Sequence, residues 1–229
     1  MSDGIDGIKK INIFIGEIGS GKTEISINFG INIRKDGKSI DIIDLDIYKP
    51  YIRLRDLKDK VEKFGVNIVA PPKEISKSDL PLIVHASKRC IYEENKICIY
   101  DIGGGENSTF VLRQFPEIKD FDYDIFYVLN VYRPFTRTLK DIEKNIKDIE
   151  IASGFSITGL VSNTNLRFET KVENIIEGYL IAKKISEKIK IPIKYVGVKE
   201  DLIDKIEDEN LKKLILPVKI FIRYPYEVD

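Results

Sequence analysis

The chain of 229 residues is long enough for one α/β domain with a large core. Its 37 basic and 37 acidic side chains cancel, so no global field attracts nucleic acid or an anionic membrane, and a nucleic-acid partner is not expected. No apolar run approaches the length of a transmembrane segment, and residues 1–10 lack the apolar region of a secretory signal. These features indicate a cytoplasmic protein.

Short apolar runs alternate with longer amphipathic ones, which is typical of βα units that build a parallel sheet. The sequence predicts an α/β fold: a doubly wound, mostly parallel sheet of about seven strands flanked by helices, in a single domain over residues 1–229. The predicted strands are Ile11–Ile15, Ser39–Leu45, Val66–Val69, Lys96–Tyr100, Tyr123–Leu129, Ile157–Ser162 and Ile193–Val198. The predicted helices are Lys22–Lys35, Arg53–Phe64, Thr138–Ala152, Val172–Ile189 and Asp201–Leu214.

Four further features of the chain concern two of its segments, its cysteines and its histidine. Ala70–Pro81 contains three prolines and is predicted to be a surface connection. Leu216–Arg223 alternates and contains a proline, which favours an edge strand over a membrane-docking helix. Cys90 and Cys98 do not form a CxxC motif, and Cys98 lies in an apolar run, so a buried free thiol is expected rather than a disulfide. His85, the single histidine, does not predict a metal site.

The segment Gly-Glu-Ile-Gly-Ser-Gly-Lys-Thr at 16–23 fits the phosphate-loop pattern GxxxxGK[ST], between a predicted strand and a predicted helix. Its glycines let the backbone turn N–H groups towards phosphate oxygens, and the helix that follows adds the positive end of its dipole. Lys22 is expected to meet the β- and γ-phosphates, and the Thr23 hydroxyl to bind Mg²⁺. The predicted nucleotide contacts here are Gly16, Glu17, Ile18, Gly19, Ser20, Gly21, Lys22, Thr23 and Glu24.

Acidic residues close two of the predicted strands. Asp44-Leu-Asp46 ends the second, and Asp101-Ile-Gly-Gly104 ends the fourth. Ligands of open parallel sheets bind at the carboxyl ends of the strands, where the phosphate loop also lies. Asp101 follows an apolar strand as a Walker B aspartate does, which predicts a Mg²⁺ ligand, and Gly104 is predicted to bring a backbone N–H to the γ-phosphate. A helix-capping or turn role is the alternative for Asp46 and for Asp101.

The order of these motifs resembles the MinD/ParA group of P-loop ATPases. More narrowly, Asp46–Arg55 and Asn130–Thr138 look like segments of an uncharacterised MinD-like branch from anaerobic bacteria. The resemblance implies ATP and Mg²⁺ as ligands, with Lys22 and Asp46 as catalytic residues and with Thr23, Asp46 and Asp101 around the metal. It further implies that Asp46 orients the attacking water. Asn163 would then read the purine edge, an assignment that suits adenine because an amide both donates and accepts. A polar residue at a strand end is the alternative for Asn163.

One position departs from the resembled group. Its members usually carry a second lysine early in the loop, which reaches across an ATP-sandwich dimer, and this chain has Glu17 there. A carboxylate repels phosphate, so a homodimer of that kind is not favoured. Four arginines are candidate substitutes because guanidinium binds phosphate bidentately, although each is equally well interpreted as a solvated surface residue. They are Arg53, Arg55, Arg133 and Arg137.

Three functions remain open on these grounds. The first, which the sequence favours, is a slow ATPase that acts as a nucleotide switch for an unknown protein partner. The second is a synthetase or kinase that uses ATP to activate a small substrate. The third is a nucleotide-binding module without turnover. No second set of convergent catalytic groups defines a small substrate, which is why the switch is preferred.

Overall fold

The computed structural model describes residues 7–33, 38–46, 54–70 and 87–223. Within them, eight strands form one sheet in the order β3-β2-β4-β1-β5-β6-β7-β8, and every neighbouring pair is parallel. The expected α/β fold with a parallel sheet is confirmed. The strands are β1 Ile11–Ile15, β2 Ser39–Leu45, β3 Asn67–Val69, β4 Lys96–Ile102, β5 Tyr123–Leu129, β6 Gly159–Ser162, β7 Ile193–Lys199 and β8 Ile215–Val218.

The eighth strand, β8, is the predicted edge strand at the C-terminal side. Pro217 lies within it, and an edge is where a sheet tolerates proline, because proline has no N–H for the ladder. Strand β4 is two residues longer than expected, so Asp101 lies inside the strand rather than after it. The cause is the ladder with β2, in which Asp44 pairs with Asp101 and Leu45 with Ile102.

Helices cover both faces of the sheet. They are α1 Lys22–Ile33, α2 Lys58–Val61, α3 at residues 87–92, α4 Glu106–Thr109, α5 Leu139–Ser153, α6 Val172–Ile189 and α7 Glu209–Lys212. Short 3₁₀ turns at Leu54–Leu57 and Glu62–Phe64 flank α2, so the described part of the predicted helix 53–64 is not one continuous α-helix.

The predicted helix Asp201–Leu214 is also interrupted. A 3₁₀ turn over Glu200–Lys205 ends at Ile206, which is extended and buried. Asp208 then caps the N-terminus of α7, and its side chain accepts hydrogen bonds from the N–H groups of Asn210 and Leu211. The strong cap and the buried isoleucine break a segment that the charge pattern alone predicted as one helix.

Alternation along the central strands divides the core into two layers. Ile11, Ile13 and Ile15 of β1 face α5 and α6, while Phe14 faces α1 and packs on Phe29 and Phe126. Side chains of a strand point to opposite faces in turn, so a strand covered on both sides is apolar throughout. β1 therefore lies at the centre of the sheet, with its carboxyl end between those of β4 and β5.

The prediction of free cysteines was wrong. Cys90 of α3 and Cys98 of β4 form a disulfide, although only eight residues separate them. The chain reverses between the end of α3 and the start of β4 at Lys96, which places the two Cα atoms 5.9 Å apart.

Candidate functional site

The phosphate loop connects β1 to α1 and has the backbone shape that its glycines allow. Gly16, Gly19 and Gly21 all have positive φ, at 144°, 75° and 91°. A Cβ at Gly16 would lie 2.5 Å from the Val128 carbonyl oxygen, and one at Gly21 would lie 2.3 Å from Asn163 Nδ2. The loop therefore needs glycine both for conformation and for space, as a backbone cradle for phosphate requires.

Lys22 is buried at the start of α1. Its Nζ donates to the Glu17 carbonyl oxygen at 2.9 Å, and the Ser20 N–H donates to the same oxygen at 3.2 Å. Two donors expected to meet phosphate thus converge on one acceptor at the inner side of the loop. This arrangement is that of an anion site whose donors are already directed to a common point.

The two expected Mg²⁺ ligands meet at the mouth of the loop. The Thr23 hydroxyl donates to Asp101 Oδ2 at 2.6 Å, and both residues are buried. A hydroxyl and a carboxylate are oxygen ligands that suit Mg²⁺, which P-loop proteins hold with one or two side chains and the nucleotide phosphates. No group of three or more His, Cys, Asp or Glu suited to a metal occurs among the described residues, in keeping with such a sparse ligand set.

Asp46 is brought to the same edge of the sheet. Its backbone N–H donates to Asp44 Oδ1 at 3.0 Å, and the side chain lies close to Gly103, where a Cβ would be 2.8 Å from Asp46 Oδ1. The carboxylate is thus beside the segment that follows Asp101. Its water-positioning and metal roles stay predictions.

Gly104 and Gly105 connect β4 to the phosphate loop. The Gly105 N–H donates to the Gly16 carbonyl oxygen at 3.1 Å, and a Cβ at Gly104 would lie 2.6–2.7 Å from Ile18 atoms. The predicted contact of the Gly104 N–H with a γ-phosphate stays a prediction. The packing nevertheless means that a shift of this segment must move Ile18.

Glu17 is buried and turned towards α5. Its carboxylate accepts from Asn145 Nδ2, and its Oε2 also accepts from the Ile18 N–H at 3.3 Å. Asn145 Oδ1 in turn accepts from the Tyr127 hydroxyl at 3.0 Å. Burial, together with the Glu17 carboxylate, raises the pKa of Tyr127. Glu17 therefore belongs to a polar chain between the loop, α5 and β5.

Glu24 has a contact that the sequence did not suggest. Its carboxylate accepts from the backbone N–H groups of Phe221 and Ile222, the latter at 3.2 Å. One turn further along α1, Asn28 accepts from the Lys219 N–H and donates to the Lys219 carbonyl, both at 2.9 Å. Residues 219–222 are thus bound along α1 directly after the phosphate loop, and the predicted nucleotide contact of Glu24 stays a prediction.

Asn163 lies at the end of β6, against the phosphate loop. Its Nδ2 donates to the Ser20 carbonyl oxygen at 2.8 Å, and only 5% of the residue is exposed. Its Oδ1 lies 2.6 Å from the position of a Cβ on Gly197 of β7. The structure therefore gives Asn163 a contact that supports the loop, and the reading of a purine base stays a prediction.

Of the four candidate arginines, Arg133 contacts the phosphate loop. Its Nε donates to the Gly19 carbonyl oxygen at 2.8 Å. Arg137 lies on an exposed part of the same segment. Arg55 lies in the 3₁₀ turn before α2, and Arg53 falls outside the described residues, as does His85.

A groove of about 440 Å³ opens beside the loop. Ile18 and Phe135 flank it with 73% and 66% of their surfaces exposed. Its polar lining comes from the loop, the segment after β4 and the first half of α5: Glu17, Glu106, Asn107, Asp141, Lys144, Asn145 and Asp148.

Comparison with known proteins agrees with this fold. No protein-family model matches the chain. The signal recognition particle 54 kDa protein of Methanococcus vannielii is 25% identical over 213 residues, which are 90% of this chain and 42% of that protein. The chain thus spans less than half the length of this curated relative.

Solved structures share the architecture at low sequence identity. FtsY from Thermotoga maritima superposes with a TM-score of 0.61 at 18% identity, over 84% of this chain and 63% of that one. FtsY from Elizabethkingia anophelis, in complex with GDP, gives a TM-score of 0.58 at 16% identity, over 86% and 60% of the two chains. The chain has a P-loop nucleotide-binding fold. These comparisons favour the signal recognition particle proteins and FtsY over the MinD/ParA group, so the narrower resemblance is not supported.

In the part of the chain that the structure describes, no helix is long and apolar enough to cross a bilayer.

Proposed function

We propose that this chain is a slow, Mg²⁺-dependent nucleoside triphosphatase that acts as a nucleotide switch for a protein partner. The observation that carries the proposal is the 2.6 Å contact between Thr23 Oγ1 and Asp101 Oδ2 at the mouth of a glycine cradle. A hydroxyl from the loop and a carboxylate from β4, which come from positions 78 residues apart, lie together as oxygen ligands that would suit Mg²⁺ beside a bound nucleotide.

The positions of the side chains support the following proposed roles. On nucleotide binding Lys22 would exchange the Glu17 carbonyl for the β- and γ-phosphates, and Thr23 and Asp101 would hold the metal. Mg²⁺ supplies neutralisation of the charge that develops on the transferred phosphoryl group. Asp46 orients the attacking water, so its effect is exerted mainly in the transition state. Since position 17 of the loop carries a carboxylate and no cation, unaided turnover is slow, on the order of minutes or longer per event, by analogy with sites that lack an arginine finger.

The switch is proposed to act through Gly103–Gly105 and Ile18. Gly105 is bonded to Gly16, and Gly104 packs on Ile18, so occupation of the γ-phosphate position changes the wall of the adjoining groove. Exposed Ile18 and Phe135 at that groove favour a protein as the partner. The chain acts in this proposal as one domain in the cytoplasm, without a lysine-bridged homodimer.

Guanine is the proposed base. The chain is similar to a signal recognition particle 54 kDa protein, and the FtsY of Elizabethkingia anophelis contains GDP. The expectation of ATP came from the resemblance to the MinD/ParA group, with Asn163 as a reader of adenine. The contact of Asn163 with Ser20 accounts for an amide at that position without any base. GTP and Mg²⁺ are therefore proposed in place of ATP and Mg²⁺.

Direct titration tests the proposal. We expect the wild type to bind GTP with Mg²⁺ and to retain it against equimolar ATP, and Lys22→Ala to bind at least tenfold more weakly through loss of a charged contact. The control is Lys205→Ala, on the exposed 3₁₀ turn after β7. Equal affinity of wild type and Lys22→Ala would contradict the site, whereas tight binding of ATP alone would restore the adenine assignment.

An enzyme of the synthetase or kinase type is the second candidate function, and the groove beside the phosphate loop supports it. Its volume of about 440 Å³ lies in the range of small-molecule sites, and it adjoins the γ-phosphate side of the loop. Turnover measured with protein fractions and with small-metabolite fractions of a cell extract separates the two. A rate that rises only with the metabolite fraction would favour the enzyme over the switch.

A further inference from the structure

The segment that carries Arg133 is held firmly beside the phosphate loop. It follows β5, the strand paired with β1. The buried Asn130 accepts from the Tyr132 N–H through Oδ1 at 3.1 Å, and its carbonyl accepts from the Thr136 hydroxyl at 2.6 Å and from the Arg133 N–H at 3.1 Å. Because the backbone is fixed at both ends of this turn, the arginine side chain starts from a defined position.

From that position Arg133 contacts the peptide unit between Gly19 and Ser20 of the phosphate loop. Its Nε donates to the Gly19 carbonyl oxygen at 2.8 Å. In a planar trans peptide the N–H points away from the C=O, so fixing the Gly19 carbonyl outward directs the Ser20 N–H inward. The Ser20 N–H indeed donates to the Glu17 carbonyl oxygen, the same acceptor that Lys22 Nζ uses. A Cβ at Gly19 would lie 3.3 Å from Arg133 Nε, so the guanidinium rests directly on the glycine.

The positive charge of Arg133 is available to an anion. No carboxylate in the described part of the chain forms an ion pair with it, and the side chain is half-buried at the rim of the loop. The Nε contact occupies one donor of the guanidinium and leaves both Nη groups. Arginine keeps its charge at any physiological pH and offers its donors in a rigid fork that matches phosphate oxygens.

We propose that Arg133 is a nucleotide-binding and positioning residue: it orients the Ser20 N–H through Gly19 and supplies to the phosphate chain the cation that Glu17 does not. This inference rests on the proposed nucleotide binding and adds a residue to it.

The test is a set of variants titrated with GMP, GDP and GTP. Arg133→Ala removes both the donor and the charge, Arg133→Gln removes the charge, and Arg133→Lys keeps it. We expect Arg133→Ala to bind GDP and GTP about tenfold more weakly or worse, with a smaller loss for GMP, because the charge acts on the outer phosphates. Arg133→Lys should bind these nucleotides more tightly than Arg133→Ala does, because the charge is kept. Arg133→Gln should recover less of the lost affinity than Arg133→Lys. The control Arg89→Ala, in an exposed pair on α3, should bind as wild type does.

Each contrary result has a distinct meaning. Equal losses for all three nucleotides, without rescue by lysine, would reduce Arg133 to a structural residue and overturn its role as a cation. Wild-type affinity in Arg133→Ala, or a loss seen in Arg137→Ala instead, would also overturn the inference. A wild type that binds none of the three nucleotides would contradict the proposed function itself. Thermal midpoints of the variants, expected within about 3 °C of wild type for a rim residue, separate a binding defect from unfolding.

Discussion

Gly21 shows how closely the phosphate loop depends on single atoms. Its φ of 91° disfavours any L-residue, and a Cβ there would lie 2.3 Å from Asn163 Nδ2, the group that holds the Ser20 carbonyl. Gly21→Ala is therefore expected to displace Asn163, distort the cradle and weaken nucleotide binding by more than about tenfold.

Gly105→Ala is the matched control for this prediction, measured in the same nucleotide titration. Gly105 also has positive φ, but nothing lies within 4 Å of a Cβ built on it. An alanine at 105 also has an unfavourable φ but meets no neighbouring atom. We therefore expect Gly105→Ala to lower nucleotide affinity less than Gly21→Ala does. Equal effects of the two variants would show that backbone strain, rather than displacement of Asn163, causes the defect.

Asp46 is expected to separate binding from catalysis. Its carboxylate is buried beside Gly103 and is proposed to position water. Asp46→Asn should lower single-turnover hydrolysis by about tenfold or more and leave nucleotide affinity within about twofold, because the contact matters in the transition state. Hydrolysis at the wild-type rate in this variant would remove Asp46 from the mechanism.

Glu17 is expected to limit the basal rate. In Glu17→Lys a cation replaces a carboxylate near the developing phosphate charge, and single-turnover hydrolysis should rise. The substitution also breaks the contact with Asn145, so nucleotide affinity is measured alongside the rate. This prediction assumes that the site is slow because position 17 carries no cation. A wild-type protein that turns over many times per second would contradict that assumption.

At the scale of elements, helix α1 connects the phosphate loop to residues 219–222. The Asn28 side chain forms two hydrogen bonds with the backbone of Lys219, and Asn28 is 3% exposed. The Glu24 carboxylate accepts hydrogen bonds from two backbone N–H groups of the same segment. Asn28→Ala leaves those backbone groups without their partner, and we expect the free energy of unfolding to fall by about 1–3 kcal/mol. Denaturant unfolding measures this loss.

Asn210→Ala is the control for this stability measurement. Asn210 is exposed on α7, and its substitution should change the free energy of unfolding by less than about 0.5 kcal/mol. If Asn28→Ala is as stable as Asn210→Ala, the C-terminal segment does not depend on α1 in solution.

For the whole molecule, ligand binding and stability are linked. A nucleotide and Mg²⁺ that bind the folded chain at about 100 times the dissociation constant add roughly 2.7 kcal/mol to its stability. For a chain of this size the thermal midpoint should rise by about 5–10 °C. Chelation with EDTA should remove most of the shift, and Lys22→Ala should show little of it. An equal shift in wild type and Lys22→Ala would contradict binding through the phosphate loop.

The sequence by itself determined the parts of this protein that local chemistry specifies. The phosphate loop is eight consecutive residues whose glycines and lysine define the cradle, and the apolar period of the strands predicts a parallel sheet because strands covered on both faces carry apolar side chains throughout. Helix α6 has the bounds that its amphipathic spacing predicts. Breaks within the helices after β2 and β7 were missed, since buried contacts and the Asp208 cap decide them.

Only the tertiary structure decided which distant residues meet at the loop. Thr23 meets Asp101 across 78 positions, Gly19 meets Arg133 across 114, and Ser20 meets Asn163 across 143. Each contact depends on the strand order that brings the ends of β4, β5 and β6 to the end of β1, and no local pattern encodes that order. The sequence offered four arginines on equal terms, and the packing of the turn after β5 against the phosphate loop gives Arg133 its contact with Gly19, because a side chain can bind only where its backbone is placed.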